Sequence, residues 1–333
     1  MKNEPDRAHV KFPESAHQFV CDQLDASVIH SATTMQALWG GQGSLLRLCS
    51  NSPTHPSCVL KLITPDRAAQ HPRGWNGKRS HERKAQSYRV ERYWYEHYAN
   101  RCHSGCRVPA SLGTHADEHA SYILLEDLSS EYPSLCSQLS ISEVQICLRW
   151  LAEFHAKFLD DSADGLWEEG CYWHLSTRPD EFAAMDAGPV KEAAVLLDEK
   201  LKCAQFQTLV HGDAKVANFC FNETMSDVAA VDFQYVGRGC GIKDIAYFLG
   251  SCLSDTQCAE YETQLLDHYF YCLHNAIDDS LDGQSKQQLE TEWRSLYPIA
   301  WTDFYRFLLG WMPGHPKIHS YTLALCHRSL SEL

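Results

Sequence analysis

Patterning along the chain begins at Val28, where short apolar runs alternate with Gly, Ser, Asn and Pro. Leu45-Leu46-Arg47-Leu48 and Cys58-Val59-Leu60-Lys61-Leu62-Ile63 read as strands, being brief, apolar and bounded by turn residues. No element is assigned before Val28. Ser80 to Ala99 holds neither Gly nor Pro, and Val90, Tyr93, Trp94 and Tyr98 recur at helical spacing, so a helix is expected there. Two further strands are expected at Arg107 to Gly113 and Ala120 to Leu125, split by the polar turn Thr114 to His119.

Beyond Ser129 the apolar period lengthens. Ser142 to Asp160 reads as a helix in which Ser142 and Glu143 supply a cap and a charge suited to the helix dipole. Glu181 to Cys203 reads as helical apart from a break at Gly188-Pro189, and the chain from Ile242 onward is mostly helical. Between these helices lie two apolar strands, Thr208 to Val210 and Val228 to Phe233, each running into a polar cluster. The pattern predicts an α+β chain of two lobes: a small β-rich N-lobe over residues 1–128 and a larger, mostly helical C-lobe over residues 129–333. With 333 residues the chain exceeds the ~250 to 300 at which a single core stops growing, which also favours two lobes.

The two strand ends carry the chemistry. Leu209-Val210-His211-Gly212-Asp213-Ala214-Lys215-Val216-Ala217-Asn218-Phe219 sets an Asp and an Asn five apart in a loop leaving a buried strand. Phosphoryl transfer needs such a pair: a carboxylate to orient the attacking hydroxyl and accept its proton, and an amide oxygen to ligate magnesium. Ala229-Ala230-Val231-Asp232-Phe233-Gln234 delivers a second carboxylate, and hard magnesium prefers oxygen ligands held at a rigid strand end.

This H-G-D-x-x-x-x-N loop followed by a strand ending in Asp resembles the signature of the aminoglycoside phosphotransferase and choline kinase group, nearest its choline-kinase-like and ecdysteroid-kinase-like branch. The resemblance runs from about Val28 to Gly250. It implies a two-lobed protein-kinase-like fold, ATP and Mg2+ as cofactors, Asp213 as catalytic base, Asn218 and Asp232 as magnesium ligands, and His211 as a brace for the loop. Lys215 matches a lysine that contacts the transferring phosphoryl group in many protein kinases, its bland alternative being a solvated loop residue. The short interval from Asp232 to Asp244, with no A-P-E segment inside it, leaves no platform for a peptide and points to a small-molecule acceptor bearing a hydroxyl.

Further motifs follow in the order the resemblance requires. Strand alternation places Lys61 on one face, where its ammonium would meet the α and β phosphates. Glu91, within Arg89-Val90-Glu91-Arg92-Tyr93-Trp94-Tyr95, is the acid expected to orient it, with Glu96 and Glu82 as alternatives. Gly40-Gly41-Gln42-Gly43-Ser44 has the composition of a phosphate-cradling loop, assigned to Gly41 and Gly43, although an ordinary Gly-rich hairpin turn is commoner. Ile123-Leu124-Leu125-Glu126-Asp127-Leu128 resembles the interlobe hinge of the same group, where Glu126 and Leu128 would hold adenine through backbone groups. Asp244 resembles an aspartate that ties down the loop bearing Asp213, or is a plain helix cap.

Two aromatic groups are candidates for the acceptor pocket or for core. One is Trp301, Phe304, Tyr305, Leu308, Trp311 and Met312, interrupted by Asp303 and Arg306; the other is Trp167, Tyr172, Trp173, His174 and Arg178. Cys102-x3-Cys106 with His115-x3-His119 lacks a zinc knuckle and is not read as a metal site.

Charge and composition narrow the classes. A net charge of −14 opposes binding to nucleic acid, and no run approaches the ~20 apolar residues of a membrane span. Met1 to Val10 is polar and carries no export or anchor signal, and fifteen scattered cysteines read as reduced thiols, so a cytoplasmic location is expected. The sequence carries no signal of an oligomeric state. The reading is an ATP- and Mg2+-dependent small-molecule kinase, with a nucleotide-binding pseudokinase and, further off, a protein kinase as alternatives. Retention of Lys61, Asp213, Asn218 and Asp232 disfavours the pseudokinase.

Overall fold

The computed structural model describes residues 12–38, 41–64, 78–278 and 281–333. Met1 to Val10 and Gly40 fall outside the described residues. The chain divides into two compact units, Met1–Arg101 with Val108–Ser130, and Cys102–Arg107 with Glu131–Leu333. The division falls after Ser130, and Cys102–Arg107 groups with the larger unit.

In the smaller unit, α1 (Glu14–Leu24) precedes β1 (Ile29–Ala37), β2 (Gly43–Ser50) and β3 (Ser57–Ile63); α2 (Lys78–His97), β4 (Ser111–Ala116) and β5 (Ser121–Glu126) follow. The strands form one antiparallel sheet in the order β1-β2-β3-β5-β4. Strand β3 is central, with Lys61 paired to Leu45 on one side and Ile123 on the other. Its period of two sorts its side chains: Cys58, Leu60 and Leu62 join Ala16, Val20 and Leu24 of α1 in the core, whereas Lys61 and Ile63 meet α2. Helix α1 was not foreseen, although Ala16, Val20 and Leu24 recur at the four-residue spacing of a buried stripe. Strand β4 starts four residues later than expected, and the turn after it is closed by Asp117, whose Oδ1 accepts from the N–H groups of His119 and Ala120 at 2.8 Å each. Those hydrogen bonds hold the Asp117 carboxyl down at about 2.

The larger unit contains β6 (Ser134–Leu135), α3 (Ile141–Lys157), α4 (Pro179–Ala184), α5 (Pro189–Lys202), β7 (Thr208–Val210), β8 (Phe219–Phe221), β9 (Val228–Ala230), β10 (Gly237–Gly239), α6 (Ile242–Cys252), α7 (Asp255–Ala276), α8 (Gly283–Trp311) and α9 (Ser320–Ser331). Helix α3 is capped by Ser140 rather than Ser142: Ser140 Oγ accepts from Glu143 N at 3.4 Å, and Glu143 Oε2 accepts from Ser140 N at 2.6 Å. The expected break at Gly188-Pro189 separates α4 from α5, with Pro189 in the first turn where its missing N–H costs nothing. Strand β7 pairs with β10, and β8 pairs with β6 and β9. Trp150 and Phe154 of α3 pack with Phe233, and Trp150 also packs with Phe219, forming an aromatic floor beneath the β7 to β9 loops. Among the described residues no helix is long and apolar enough to cross a membrane.

Candidate active site

Strand β7 is buried along its length and releases the chain into a loop at residues 211–218. Gly212 adopts φ +78°, and a Cβ there would lie 2.0 Å from Tyr235 O, so the turn accepts only glycine. Asp244, in the first turn of α6, fixes this loop from below: its Oδ2 accepts from His211 N at 2.6 Å and its Oδ1 from Gly212 N at 3.0 Å. The helix-cap alternative fails, because Gly241 occupies the cap position and Asp244 receives the N–H groups of another segment. Asp244 is fully buried and also meets His155 Nε2 at 3.2 Å, while His155 Nδ1 lies 2.8 Å from the Tyr269 hydroxyl.

His211 is fully buried. Its Nδ1 accepts from Asp213 N at 3.3 Å and its Nε2 lies 3.1 Å from Val231 O, a pairing satisfied by the neutral ring with the proton on Nε2. It is a positioning residue, linking the start of the loop to the chain just before Asp232.

Asp213 is 8% exposed. Its Oδ2 accepts from Lys215 Nζ at 2.7 Å and from Asn218 Nδ2 at 3.2 Å, and Asn218 Nδ2 also donates to Asp213 O at 2.8 Å. The Asn218 amide nitrogen is thereby turned to Asp213, which makes Oδ1 the atom that could hold a metal. Burial pushes the Asp213 carboxyl above the ordinary range; Lys215 pulls it back and the nearby Asp232 charge pushes it further. Lys215, for which burial disfavours the charge, is nevertheless raised because Asp213 and Asp232 both act on it.

Asp232 lies beyond the end of β9, not within a strand running to Phe233 as expected, and takes φ +71°. A non-glycine residue in that region stores strain that the surrounding structure must hold. Its carboxylate and the Asn218 amide oxygen are hard donors delivered to one neighbourhood, a set that fits magnesium.

The smaller unit, taken by itself, holds a buried ion pair. Lys61 Nζ donates to Glu91 Oε1 at 2.8 Å and Oε2 at 2.6 Å, with the two residues 5% and 2% exposed. The alternative acid Glu96 instead engages Arg92 at 2.7 Å and the Thr114 hydroxyl at 2.6 Å. Gly43 is a member of β2 at φ +147°, and a Cβ there would lie 1.9 Å from Leu62 O, so strand contact accounts for it. Gly41, at φ +71°, has open space where a Cβ would go. The Glu126 N–H donates to Ala110 O at 3.0 Å, its carboxylate accepts from Ala110 N at 2.9 Å, and Leu128 is buried in the turn that follows.

Parts of the two aromatic groups meet beside the 211–218 loop, while Trp301, Tyr305 and Trp167 pack elsewhere. Trp173, Tyr247, Phe304, Phe307 and Leu308 form one cluster with Tyr172 and Trp311 on its edge. Burial, with Tyr172 and Asp213 as neighbours, pushes the Tyr247 phenol well above its ordinary value. Two cations cover this cluster: Lys317 Nζ lies 4.6 Å from the Tyr247 ring centre and 5.4 Å from that of Phe304, and Arg178 lies 5.4 Å from Tyr172 and 5.3 Å from Phe307. Burial lowers the Lys317 ammonium to about 8, against the opposing pull of Asp213. Neither Tyr247 nor Lys317 was singled out from the sequence; Lys317 sits in a Pro- and Gly-flanked loop, where no spacing ties it to Asp213. Asp303 and Arg306 face inward instead, joined at 2.7 Å and fully buried, and Arg306 also donates to Trp173 O at 2.9 Å.

The chain resembles known proteins in two ways. The model of the ecdysteroid kinase-like family matches residues 178–280. Among solved structures, a microcompartment-associated aminopropanol kinase superposes with a TM-score of 0.53 at 16% identity, covering 96% of this chain and 98% of that one. An ethanolamine kinase from Plasmodium vivax superposes with a TM-score of 0.52 at 12% identity, covering 97% of this chain and 90% of that one. No curated protein gives a significant match. These matches agree with the resemblance read from the sequence: the chain shares the α+β, kinase-like fold of these two small-molecule kinases.

Proposed function

We propose that the chain is an ATP- and magnesium-dependent phosphotransferase that moves the γ-phosphate of ATP onto a hydroxyl of a small molecule by direct in-line transfer. The observation that carries this reading is Asp213, buried and bonded to both Lys215 and Asn218 in a loop pinned by Asp244. Asp213 accepts the proton of the attacking hydroxyl, and Lys215 faces the charge that develops on the transferring group. Asn218 Oδ1 and the Asp232 carboxylate would hold magnesium, which when bound would neutralise phosphate charge. Lys61, oriented by Glu91, is the cation that would contact the phosphates of a bound nucleotide.

The acceptor hydroxyl has to reach Asp213, so the aromatic cluster beside it lines the acceptor's approach. Four of its rings already carry a cation, Tyr247 and Phe304 from Lys317 and Tyr172 and Phe307 from Arg178. That favours an alcohol with an apolar ring body or an acidic group over a quaternary amine, and sets the expected acceptor apart from the aminopropanol and ethanolamine of the two similar kinases. Measuring ADP release across amino alcohols, sugars and steroid-like alcohols tests this. Turnover with neutral or acidic ring alcohols supports the proposed acceptor class; turnover with choline or ethanolamine alone would refute it.

A further inference from the structure

Glu169, His174 and Asp198 bring three ligand atoms within 4.8 Å of one another, away from the residues assigned to phosphoryl transfer. Glu169 and His174 come from the loop between α3 and α4, and Asp198 from the middle of α5. His174 is 2% exposed, and its buried Nε2 faces Glu169 Oε2 and, at 3.1 Å, Asp198 Oδ1. A ring nitrogen and two carboxylate oxygens thus converge on a common point.

We propose that Glu169, His174 and Asp198 form a site for one divalent transition-metal ion of the manganese-to-zinc series. One imidazole with two carboxylates suits these ions, and three protein ligands leave room for water. Two carboxylates also balance the ion's charge. His174 Nδ1 lies 2.9 Å from Ser176 Oγ and 3.3 Å from Ser176 N. Without the ion, Nδ1 accepts from the Ser176 N–H and the ring proton sits on Nε2. With it, the proton moves to Nδ1 and is donated to Ser176 Oγ, which fixes the ring and frees Nε2. Lys202 Nζ, half exposed, lies 3.2 Å from Glu169 Oε1, which leaves Oε2 to the ion.

The site's location gives the ion a consequence. Cys171 N donates to Tyr235 O at 3.2 Å and Tyr172 N to Gly212 O at 3.1 Å, so the segment bearing Glu169 and His174 is hydrogen-bonded to the loop that carries Asp213. An ion there ties α5 to that segment and stiffens the backing of the loop.

The test uses the full chain with Asp232→Ala, stripped with chelator and free of nucleotide, so that the proposed magnesium site cannot contribute. Titrated Co2+ is expected to bind once per chain, give visible d–d absorption without a thiolate charge-transfer band, and raise the melting temperature. His174→Ala and Asp198→Asn should each weaken binding about tenfold or more. Asp198 is partly exposed, so Asp198→Asn carries the test if His174→Ala does not fold. Absence of binding at millimolar Co2+ would overturn the proposal. A thiolate band, pointing to the free cysteines, would do the same, as would unchanged affinity in Asp198→Asn.

Discussion

Replacing Asp213 with Ala is expected to lower turnover about 10²- to 10⁴-fold, the usual contribution of a positioned general base. Affinity for MgATP should stay near that of the wild type. The asymmetry follows from the proposed roles: Asp213 would face the acceptor hydroxyl, whereas the proposed nucleotide contacts are Lys61, Asn218 and Asp232. Asp213→Asn keeps the shape and the contact with Lys215 while removing the proton acceptor, so it should lose turnover by a similar factor. Single-turnover ADP formation measures both variants without interference from product release. Wild-type rates in Asp213→Asn would remove Asp213 from the base role.

Glu91→Ala is expected to carry the largest cost in stability. It strips the carboxylate from a lysine that is 5% exposed in the central strand of the smaller unit's sheet. Removing one member of a buried ion pair costs about 3–5 kcal/mol, because the remaining charge keeps its desolvation penalty. The double variant Lys61→Met with Glu91→Leu should recover most of that loss, since apolar residues of similar volume replace a buried pair at little net cost. Urea denaturation of the single and double variants measures the difference. Equal losses in the two would show that packing of α2 on the sheet, rather than charge pairing, sets the cost.

The contrast between those two positions also shows what the sequence reveals. Asp213, Lys215 and Asn218 lie in one short loop, so their spacing nearly determines their meeting, and a single polar run between apolar strands exposes it. Lys61 and Glu91 lie on different elements and need a helical register to connect them. Glu91 shares a face with the buried Tyr88, Trp94 and Tyr95, whereas Glu96 turns toward Arg92 and Thr114. Helix existence was legible from Val90, Trp94 and Tyr98, but its partner acid was one of three candidates until the strand and helix were packed.

Other features resisted reading because their causes are tertiary. Gly43 looks like phosphate-loop glycine by composition, yet the carbonyl of Leu62 on the neighbouring strand accounts for it. Ser142 looked like a cap because it precedes Glu143 in the apolar pattern; Ser140 takes that role because its spacing to Glu143 closes the reciprocal box. Asp303 and Arg306 looked like acceptor contacts because charge interrupted an aromatic stripe, but at helical spacing of three they pair with each other inside the core. Tyr247 and Lys317 meet near Asp213 only through the packing of α6 and the loop before α9, and nothing local marks them. Glu169, His174 and Asp198 converge by the same kind of packing.

The measurement that bears most directly on the central claim is titration calorimetry of ATP into the wild type and into Asp232→Ala, each with and without Mg2+. The account predicts that the wild type binds ATP more tightly with Mg2+ and that Asp232→Ala loses this enhancement while still folding. Failure of the wild type to bind ATP at millimolar concentration with Mg2+ present would contradict it, leaving a kinase-like fold without a working nucleotide site.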